Sequence, residues 1–285
     1  MVSELEQNGF VVVDLLNKQD VETLNALIAE YLPHQGSDFV SSSHFLSEKD
    51  SKYINEQLHK VVKPVTDVLF PELELLGGTL ATKIKGKSIL KAHNDWSIVD
   101  ESRYNSYNLW IALVDTDEQN GTLGLLPGSH LWDSTPRGMG IPGVYEVHTA
   151  AFLRTGYEPP LKAGQAILYN HRLVHYSRPN ISAKPRNVAI IGMKDRNADL
   201  CVSVCFDNAT IETYAARQED FYVFDANKIR ANNKLIATCA VSKNKVSWPA
   251  LQALYTKHVP PVFDYLPRRK MSFLEKLYSL FHTGT

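Results

Sequence analysis

The feature that most constrains the fold is a succession of short apolar runs that begins at about residue 75. Gly, Pro, Asn and Asp residues separate these runs. The runs cover residues 75–84, 107–114, 122–126, 165–170, 187–193, 200–206 and 220–224. Many short strands at such spacing, broken by turn-forming residues, are typical of an all-β sandwich or barrel. The sequence therefore predicts a mainly β core.

The region before this core has a different pattern. Residues 9–13 form a short β-branched run, and Asn17 follows as a candidate helix cap. The apolar residues after Asn17 have helical spacing: Val21, Leu24, Leu27, Ile28 and Tyr31. Ser47 is expected to cap a second helix, which Pro64 should kink or split. The polar segment 36–43 between the two helices is a candidate mobile lid.

The length and composition suit one domain. The chain has 285 residues, of which 44% are apolar and 21% are charged, so it can bury a sizeable core. No internal repeat and no shift in composition marks a boundary. We predict a single domain over 1–285, with N-terminal helices over about 1–70, a β core over about 75–225 and a C-terminal extension over about 226–285. An amphipathic helix over 271–281 should pack on the body, with substrate cover or a dimer contact as alternatives.

Charge and cysteine content narrow the class of protein. Thirty Lys and Arg residues balance 31 Asp and Glu residues, so no global basic field favours nucleic acid or an anionic membrane. No apolar run approaches the roughly 18 residues of a membrane span, and the N-terminus lacks a signal-peptide pattern. These observations predict a cytoplasmic protein. Cys201 and Cys205 are expected to be reduced core residues, with a redox pair as the alternative, and Cys239 completes no disulfide framework.

A possible metal site begins at His93-Asn94-Asp95. In an extended segment, residues two apart point to the same side, so His93 and Asp95 could bind one ion. A strand that follows Gly164 would bring in His175. Two histidines and one carboxylate leave three open positions on an octahedral ion, which is the facial triad of non-haem Fe(II) oxygenases. A tetrahedral zinc site of a hydrolase with the same ligands stays open.

Two polar residues after His175 favour the oxygenase. Arg186 should begin the next strand, and its planar guanidinium can pair bidentately with a carboxylate. A keto acid that binds iron and carries a distal carboxylate needs such a partner. Ser177 lies two residues after His175 and could add a hydroxyl donor on the same side. The alternative for Arg186 is a surface arginine.

Several motifs occur in an order that resembles one family. They are His93-Asn94-Asp95, Asn108-Leu109-Trp110, the Gly- and Pro-rich segment 120–130, and His175-Tyr176-Ser177 continued to Asn180 and Arg186. Residues 8–13 add a matching opening. Over about residues 5–225 the chain resembles the phytanoyl-CoA dioxygenase (PhyH) family of Fe(II)/2-oxoglutarate oxygenases. The last sixty or so residues resemble no family.

The resemblance implies a fold and a site. The fold would be mainly β with flanking helices, a double-stranded β-helix (a cupin-like jelly roll). His93, Asp95 and His175 would hold Fe(II). The co-substrate 2-oxoglutarate would bind the metal, and the residues around it would be Arg186, Ser177, Lys83 and Trp110. Simple core packing is an equal alternative for Trp110.

The resemblance also implies a reaction. The enzyme would use O2 and 2-oxoglutarate to hydroxylate an unactivated C–H of a small molecule, and would release succinate and CO2. Because Asp95 is present where related halogenases have a small residue, we expect oxygenation and no halogenation. Desaturation, cyclisation and epoxidation remain open. A non-catalytic metal- or ligand-binding jelly-roll protein and a metal-dependent hydrolase are the alternatives from other classes.

The substrate is the least constrained part. A natural-product intermediate or an amino-acid-like metabolite is expected. Residues near the ligands are the candidate substrate contacts: Asn94, Trp96, Arg103 and Tyr104. Residues 138–157 form a second candidate lid. His130 is expected to be a turn residue, and His171 is expected to share a strand face with His175 as a packing neighbour of the site. The sequence leaves the oligomeric state open.

Overall fold

The computed structural model describes residues 2–32, 37–132, 135–221, 225–241 and 247–258. The strands are β1 (Phe10–Asp14), β2 (Phe39–Ser41), β3 (Leu73–Lys83), β4 (Leu90–His93), β5 (Ser106–Ala112), β6 (Leu123–Leu125), β7 (Gln165–Asn170), β8 (His175–Ser177), β9 (Arg186–Asp195), β10 (Cys201–Cys205), β11 (Thr210–Ala215) and β12 (Leu235–Ala240). The helices are α1 (Val2–Asn8), α2 (Lys18–Tyr31), α3 (Ser42–Phe45), α4 (Glu48–Leu69), α5 (Thr149–Thr155), α6 (Ala226–Asn232) and α7 (Trp248–His258). The prediction of a mainly β protein with flanking helices is confirmed.

Two antiparallel sheets face each other. The large sheet has the strand order β1-β7-β5-β9-β3-β2, and the small sheet has the order β4-β8-β6. Between them lies an apolar layer to which the large sheet contributes Trp110, Ile167 and Val188, and β6 contributes Leu123 and Leu125. This arrangement places His175 and Ser177 of β8 against the inner face of the large sheet, whereas Tyr176 packs with Ala92 of β4 in a separate cluster.

The outer face of the large sheet packs on α2 and α4. Leu109 and Ile111 of β5 belong to this outer cluster, whereas Trp110 between them faces the small sheet. This is the alternation expected of a strand that is buried on both faces. Both predicted helix caps form, because the side chains of Asn17 and Ser47 accept hydrogen bonds from backbone amides at 3.0 and 3.2 Å.

Pro64 does not split the second helix. The helix α4 runs without interruption through Pro64, which is exposed. A proline removes the amide that would bond to the carbonyl four residues before it. Here that carbonyl belongs to Lys60, which is also exposed, so water can satisfy it.

Residues 39–43 of the first candidate lid form regular secondary structure, so the prediction of a loop is wrong there. This part of the chain forms β2, which pairs with the edge of β3, and the start of α3. Ser41 and Ser42 are buried, and their hydroxyls lie 3.0 and 2.8 Å from the hydroxyl of Thr79. A polar run can therefore be a fixed edge strand when a neighbouring strand satisfies its hydroxyl groups. Residue 36 lies outside the described residues.

The region after β9 differs most from the prediction. Asp220 and Phe221 form the end of a 3-10 turn (Gln218–Phe221) instead of a strand, and residues 222–224 lie outside the described residues. A third sheet, β10-β11-β12, was not predicted beyond β10. Every residue of β12 is exposed, so this strand has no alternation of buried and exposed residues that would reveal it.

The three cysteines form no disulfide among the described residues. Cys201 and Cys205 are buried and free, as predicted, and Cys239 is exposed and free on β12. Within the described part of the chain, no helix combines the length and the apolar character needed to cross a membrane. The predicted helix over 271–281 lies outside the described residues.

Candidate metal and co-substrate site

His93 and His175 are neighbours across the small sheet. They pair in register on β4 and β8, and their ring centroids are 4.2 Å apart. Asp95 follows two residues after His93. Its Oδ1 lies 3.8 Å from Nε2 of His93 and 3.7 Å from Nε2 of His175. One ligand atom from each residue can thus be chosen so that all three lie within 4.8 Å of one another. These distances exceed those of a hydrogen bond and leave room for an ion between the atoms.

Backbone contacts orient both imidazoles. Nδ1 of His93 lies 2.8 Å from the carbonyl oxygen of Lys91, and Nδ1 of His175 lies 3.0 Å from that of Leu173. A carbonyl oxygen can only accept, so Nδ1 is the protonated nitrogen in each ring. Nε2 is therefore left as the ligand atom, which is the usual arrangement of metal-binding histidines.

Asp95 reaches the site from a loop. Strand β4 ends at His93, so the strand alternation on which the prediction was based does not position Asp95. Contacts with other segments do so. The amide of Asp95 donates to the carbonyl of His171 at 2.9 Å, and the Nδ2 of Asn108 donates to Oδ2 of Asp95 at 2.8 Å. Oδ1 then faces the two histidines.

The charge states suit a divalent metal. Burial opposes ionisation of Asp95, but the nearby His175, His171 and His93 and the hydrogen bond from Asn108 together lower its pKa well below the usual value. Burial lowers the pKa of His175 to about 4, so this imidazole is neutral near pH 7. An ionised carboxylate beside a neutral imidazole with its Nε2 lone pair available is a donor set that fits Fe(II).

Two buried cations lie beside this triad. Lys83 and Arg186 pair across β3 and β9 and are 2% and 3% exposed. Nζ of Lys83 donates to the hydroxyl of Ser177 at 2.6 Å and to the carbonyl of Arg178 at 2.8 Å. Nη1 of Arg186 donates to the carbonyl of Gly121 at 2.6 Å, while its Nε has no hydrogen-bond partner among the described residues.

Among the described residues no carboxylate forms an ion pair with Lys83 or Arg186. Burial, followed by the charge of Arg186, lowers the pKa of Lys83 well below its usual value, and burial lowers the pKa of Arg186 to about 10. Buried charges in proteins are normally paired. The two cations and the unpaired Nε therefore fit a carboxylate of a bound co-substrate.

Trp110 and Ser177 belong to this part of the site. The guanidinium of Arg186 lies over the ring of Trp110, 5.4 Å from its centroid. Trp110 is 2% exposed and also packs in the layer between the sheets, and its role in binding the co-substrate stays a prediction. Ser177 shares β8 with His175 and points to the same side two residues later.

The four candidate substrate residues have contacts of their own. Trp96 and Tyr104 pack against an apolar cluster that includes Ile98. The guanidinium of Arg103 lies 5.2 Å from the centroid of the Tyr104 ring, and Arg103 is exposed. Nδ2 of Asn94 donates to the carbonyl of Arg172 at 3.1 Å. None of these contacts is with the triad, and a substrate role for the four residues stays a prediction.

His171 and His130, which the sequence also singled out, are not part of the triad. His171 lies in the turn between β7 and β8, so the prediction that it shares a strand face with His175 is wrong. It is buried, and its Nδ1 lies 2.9 Å from the hydroxyl of Ser106. His130 is in a 3-10 turn (Ser129–Leu131), as the turn prediction requires, and its Nε2 contacts the carbonyl of Glu6 at 3.0 Å.

The second candidate lid packs on β4. Gly138 approaches the backbone of Ser203 so closely that an added Cβ would lie 2.0 Å from its carbonyl oxygen. Further along, Glu146 forms an ion pair with Lys91, and the hydroxyl of Thr149 accepts a hydrogen bond from the amide of Ala92 at 2.9 Å. The segment is held at Gly138 and again at Glu146 and Thr149 in this conformation.

The sequence prediction missed three residues around the triad. Asn108 holds Asp95 and also donates to the hydroxyl of Tyr169 at 3.3 Å, and the Tyr169 ring lies 4.8 Å from that of His175. Arg137 donates to the carbonyl of Asp95. Asn108 lies two residues before Trp110, so strand alternation could have placed it on the inner face. Nothing in the sequence around Arg137 indicates its contact.

Sequence similarity places the chain in a known family. The sequence profile described as phytanoyl-CoA dioxygenase (PhyH) matches residues 5–188, which is more than half of the chain. The chain belongs to the PhyH family. Family membership confirms the predicted enzyme class, a non-haem iron and 2-oxoglutarate-dependent oxygenase, with Fe(II), 2-oxoglutarate and O2 as its cofactor and co-substrates. No curated protein matches the sequence significantly.

Solved structures share the fold of this PhyH-family protein. The 2-oxoglutarate-dependent epimerase SnoN from nogalamycin biosynthesis is 20% identical, with a TM-score of 0.51 over 70% of this chain and 83% of its own. The carbocyclase SnoK from the same biosynthesis has the same identity and TM-score, over 70% of this chain and 84% of its own. The non-haem monooxygenase ThoJ is 21% identical, with a TM-score of 0.51 over 70% of this chain and 78% of its own. These likenesses confirm the jelly-roll prediction.

Proposed function

We propose that this protein hydroxylates an unactivated C–H of a small molecule, with 2-oxoglutarate as co-substrate and with release of succinate and CO2. His93, Asp95 and His175 would hold Fe(II). One observation carries the proposal: three ligand atoms converge within 4.8 Å of one another, next to two buried cations that pair with no carboxylate in the part of the chain that the structure describes. A metal site alone would not need the cations, and a keto acid with a second carboxylate uses both.

The triad residues would bind and orient the metal. When bound, Fe(II) supplies the oxidative chemistry with O2 and 2-oxoglutarate. The carbonyls of Lys91 and Leu173 hold both imidazoles with Nε2 toward the ion, and Asn108 holds Oδ2 of Asp95 so that Oδ1 is the ligand. Three protein ligands on one face leave three positions of an octahedral ion for small molecules.

The cation pair would bind the distal carboxylate of 2-oxoglutarate. Nε of Arg186 is available, so the guanidinium can offer Nε and a terminal nitrogen as a two-pronged donor. Lys83 adds a second charge, and the Ser177 hydroxyl beside it can donate to the same carboxylate. Because Lys83 and Arg186 are almost fully buried, water competes little with the co-substrate there.

The substrate would approach from the side of His93. The His93 side chain is 34% exposed and that of Asp95 is 23% exposed, whereas that of His175 is 3% exposed. A natural-product intermediate or an amino-acid-like metabolite remains the proposed substrate class, and Asn94, Trp96, Arg103 and Tyr104 remain its proposed contacts. We also propose that residues 1–285 form a single oxygenase domain.

A metabolite screen tests the reaction. Protein loaded anaerobically with Fe(II) and 2-oxoglutarate is mixed with O2 and candidate substrates, and succinate release and product mass are followed. A product that gains one oxygen supports hydroxylation, and a product that loses two hydrogens indicates desaturation or ring formation instead. Activity with zinc and without O2 would favour a hydrolase. The His175→Ala variant is the control, and it should lose substrate-dependent succinate release.

A further inference from the structure

We propose that Arg137 is a positioning residue that holds Asp95 in place for metal binding. Nε of Arg137 donates to the backbone carbonyl of Asp95 at 2.6 Å. Arg137 is 42 residues away from Asp95 along the chain and lies outside the motifs quoted for the family resemblance. The inference rests on the proposed ligand set, because it concerns the one ligand that no strand positions.

No strand pairing holds the backbone around Asp95, although Asn94 and Ile98 on either side of it hydrogen-bond to Arg172 and Cys201. Residues 94–98 have no regular secondary structure. Asp95 is held on one side by its amide, which donates to the carbonyl of His171, and on the other side by its carbonyl, which accepts from Arg137. If the second contact is lost, the peptide between Asp95 and Trp96 can rotate, and the direction of the carboxylate changes with it.

A buried ion pair fixes the guanidinium itself. Nη1 and Nη2 of Arg137 donate to the two carboxylate oxygens of Glu101 at 3.0 and 2.5 Å. The two side chains are 12% and 7% exposed. This two-pronged pair satisfies the terminal nitrogens and leaves Nε to face Asp95. It also neutralises the guanidinium, so Arg137 adds no net charge beside the metal ligands.

The backbone of Arg137 also hydrogen-bonds to the loop that carries Asp95. Its carbonyl accepts a hydrogen bond from the amide of Ser97 at 3.0 Å, and its amide donates to the hydroxyl of Ser97 at 3.2 Å. That hydroxyl donates in turn to Glu101 at 3.3 Å. Beyond Arg137, the chain pairs with β10 through Met139. The loop from Asp95 to Glu101 is thus tied through Arg137 to the third sheet.

The test separates this role from general stability. The double variant Arg137→Met/Glu101→Gln removes both charges together, so that neither is left buried and unpaired. We expect it to bind Co²⁺ about 10- to 100-fold more weakly than the wild type, which is the usual effect of losing an outer contact of a metal ligand. The d–d absorption of bound Co²⁺ should change as well, because the carboxylate moves. Arg137→Lys should not restore binding, since an ammonium cannot make the fork and the Nε contact together.

Arg230→Met is the matched control, because Arg230 forms an ion pair with Glu212 on the third sheet. It should leave the Co²⁺ affinity and spectrum unchanged. A folded double variant with wild-type affinity and spectrum would overturn the role of Arg137. Asp95→Ala is measured beside it. If Asp95→Ala also binds Co²⁺ as tightly as the wild type does, the proposed ligand set has failed. If Asp95→Ala binds Co²⁺ weakly while the double variant binds it like the wild type, only the positioning role is refuted.

Discussion

The two ends of the site are built in different ways. At the proposed co-substrate end, Lys83, Arg186 and Ser177 all lie on strands, are almost fully buried and have positions fixed by the ladders of two sheets. At the proposed metal end, His175 is also buried on a strand, but Asp95 lies in a loop, and it and His93 are partly exposed. The buried end suits a co-substrate that is the same in every turnover. The open, loop-borne end suits a substrate that differs between members of a family, since loops vary more than strands do.

The largest expected effect concerns the buried end. Arg186→Met removes one of the two cations, and the distal carboxylate of 2-oxoglutarate would lose its two-pronged partner. Removing one member of a buried charge pair costs about 3–5 kcal/mol. Since each 1.4 kcal/mol corresponds to a tenfold change in affinity, we expect the affinity for 2-oxoglutarate to fall by a factor on the order of 100 or larger. Calorimetric titration of 2-oxoglutarate into the metal-loaded protein measures this.

The Co²⁺ affinity of Arg186→Met is its internal control, and it should stay within about twofold of the wild type, because Arg186 is not a metal ligand. A 2-oxoglutarate affinity that survives the substitution would show that the two ends have been assigned wrongly.

The next effect concerns the loop-borne end. Asn108→Leu keeps the branched shape and the number of heavy atoms of the side chain and removes the hydrogen bond to Oδ2 of Asp95. We expect about tenfold weaker Co²⁺ binding, at the lower end of the range for outer contacts of metal ligands, because Arg137 and His171 still hold the backbone of Asp95. Equal affinity in the variant would mean that the loop is rigid without Asn108 and that the contrast between the two ends is smaller than described.

These residues also show how far the sequence could predict the site. Ser177 and Arg186 were placed correctly because strand alternation and the start of a strand are local properties that a sequence records. Asp95 was correctly grouped with His93, but for an incomplete reason. Its position depends on contacts with Asn108, Arg137 and His171 that are far away in the sequence, and no local pattern encodes such contacts.

The fold shows the same division. The inner strands and α2 follow from apolar periodicity and from the Asn17 cap. Strand β12 does not, because all its residues are exposed and its pairing with β11 leaves no trace in hydropathy. The segment 36–43 has the composition of a loop, yet residues 39–41 pair with β3 and form an edge strand. Tertiary pairing overrides local composition in both cases.

A smaller effect is the pH dependence of 2-oxoglutarate binding. Burial and the charge of Arg186 lower the pKa of Lys83, and a bound carboxylate would raise this pKa again. Between the lowered pKa and the usual value of about 10.4, binding should take up a proton, so the affinity should weaken as pH rises. In the same window the unfolded chain binds more protons than the free folded protein, whose stability therefore rises with pH.

Calorimetry of 2-oxoglutarate binding in two mildly alkaline buffers with different ionisation enthalpies counts the protons taken up. Lys83→Met should show no uptake. If the wild-type protein shows none either, Lys83 stays protonated in the free protein, or the carboxylate binds elsewhere.

The smallest effect is expected for Asn94. Its amide donates to the carbonyl of Arg172, so Asn94→Ala should lower the free energy of unfolding by about 1 kcal/mol, which is typical of one hydrogen bond. Urea denaturation measures this. If the stability is unchanged and the KM for the substrate rises, Asn94 contacts the substrate and the loop contact is incidental.

The most direct test of the two-ended site is an anaerobic spectroscopic titration with Fe(II) and 2-oxoglutarate. We expect a visible metal-to-ligand charge-transfer band for the wild type, no band for His175→Ala, and a band for Arg186→Met that needs far more 2-oxoglutarate to form. A wild-type protein without the band, or a His175→Ala variant that shows it at wild-type concentrations, would contradict the proposed metal and co-substrate site.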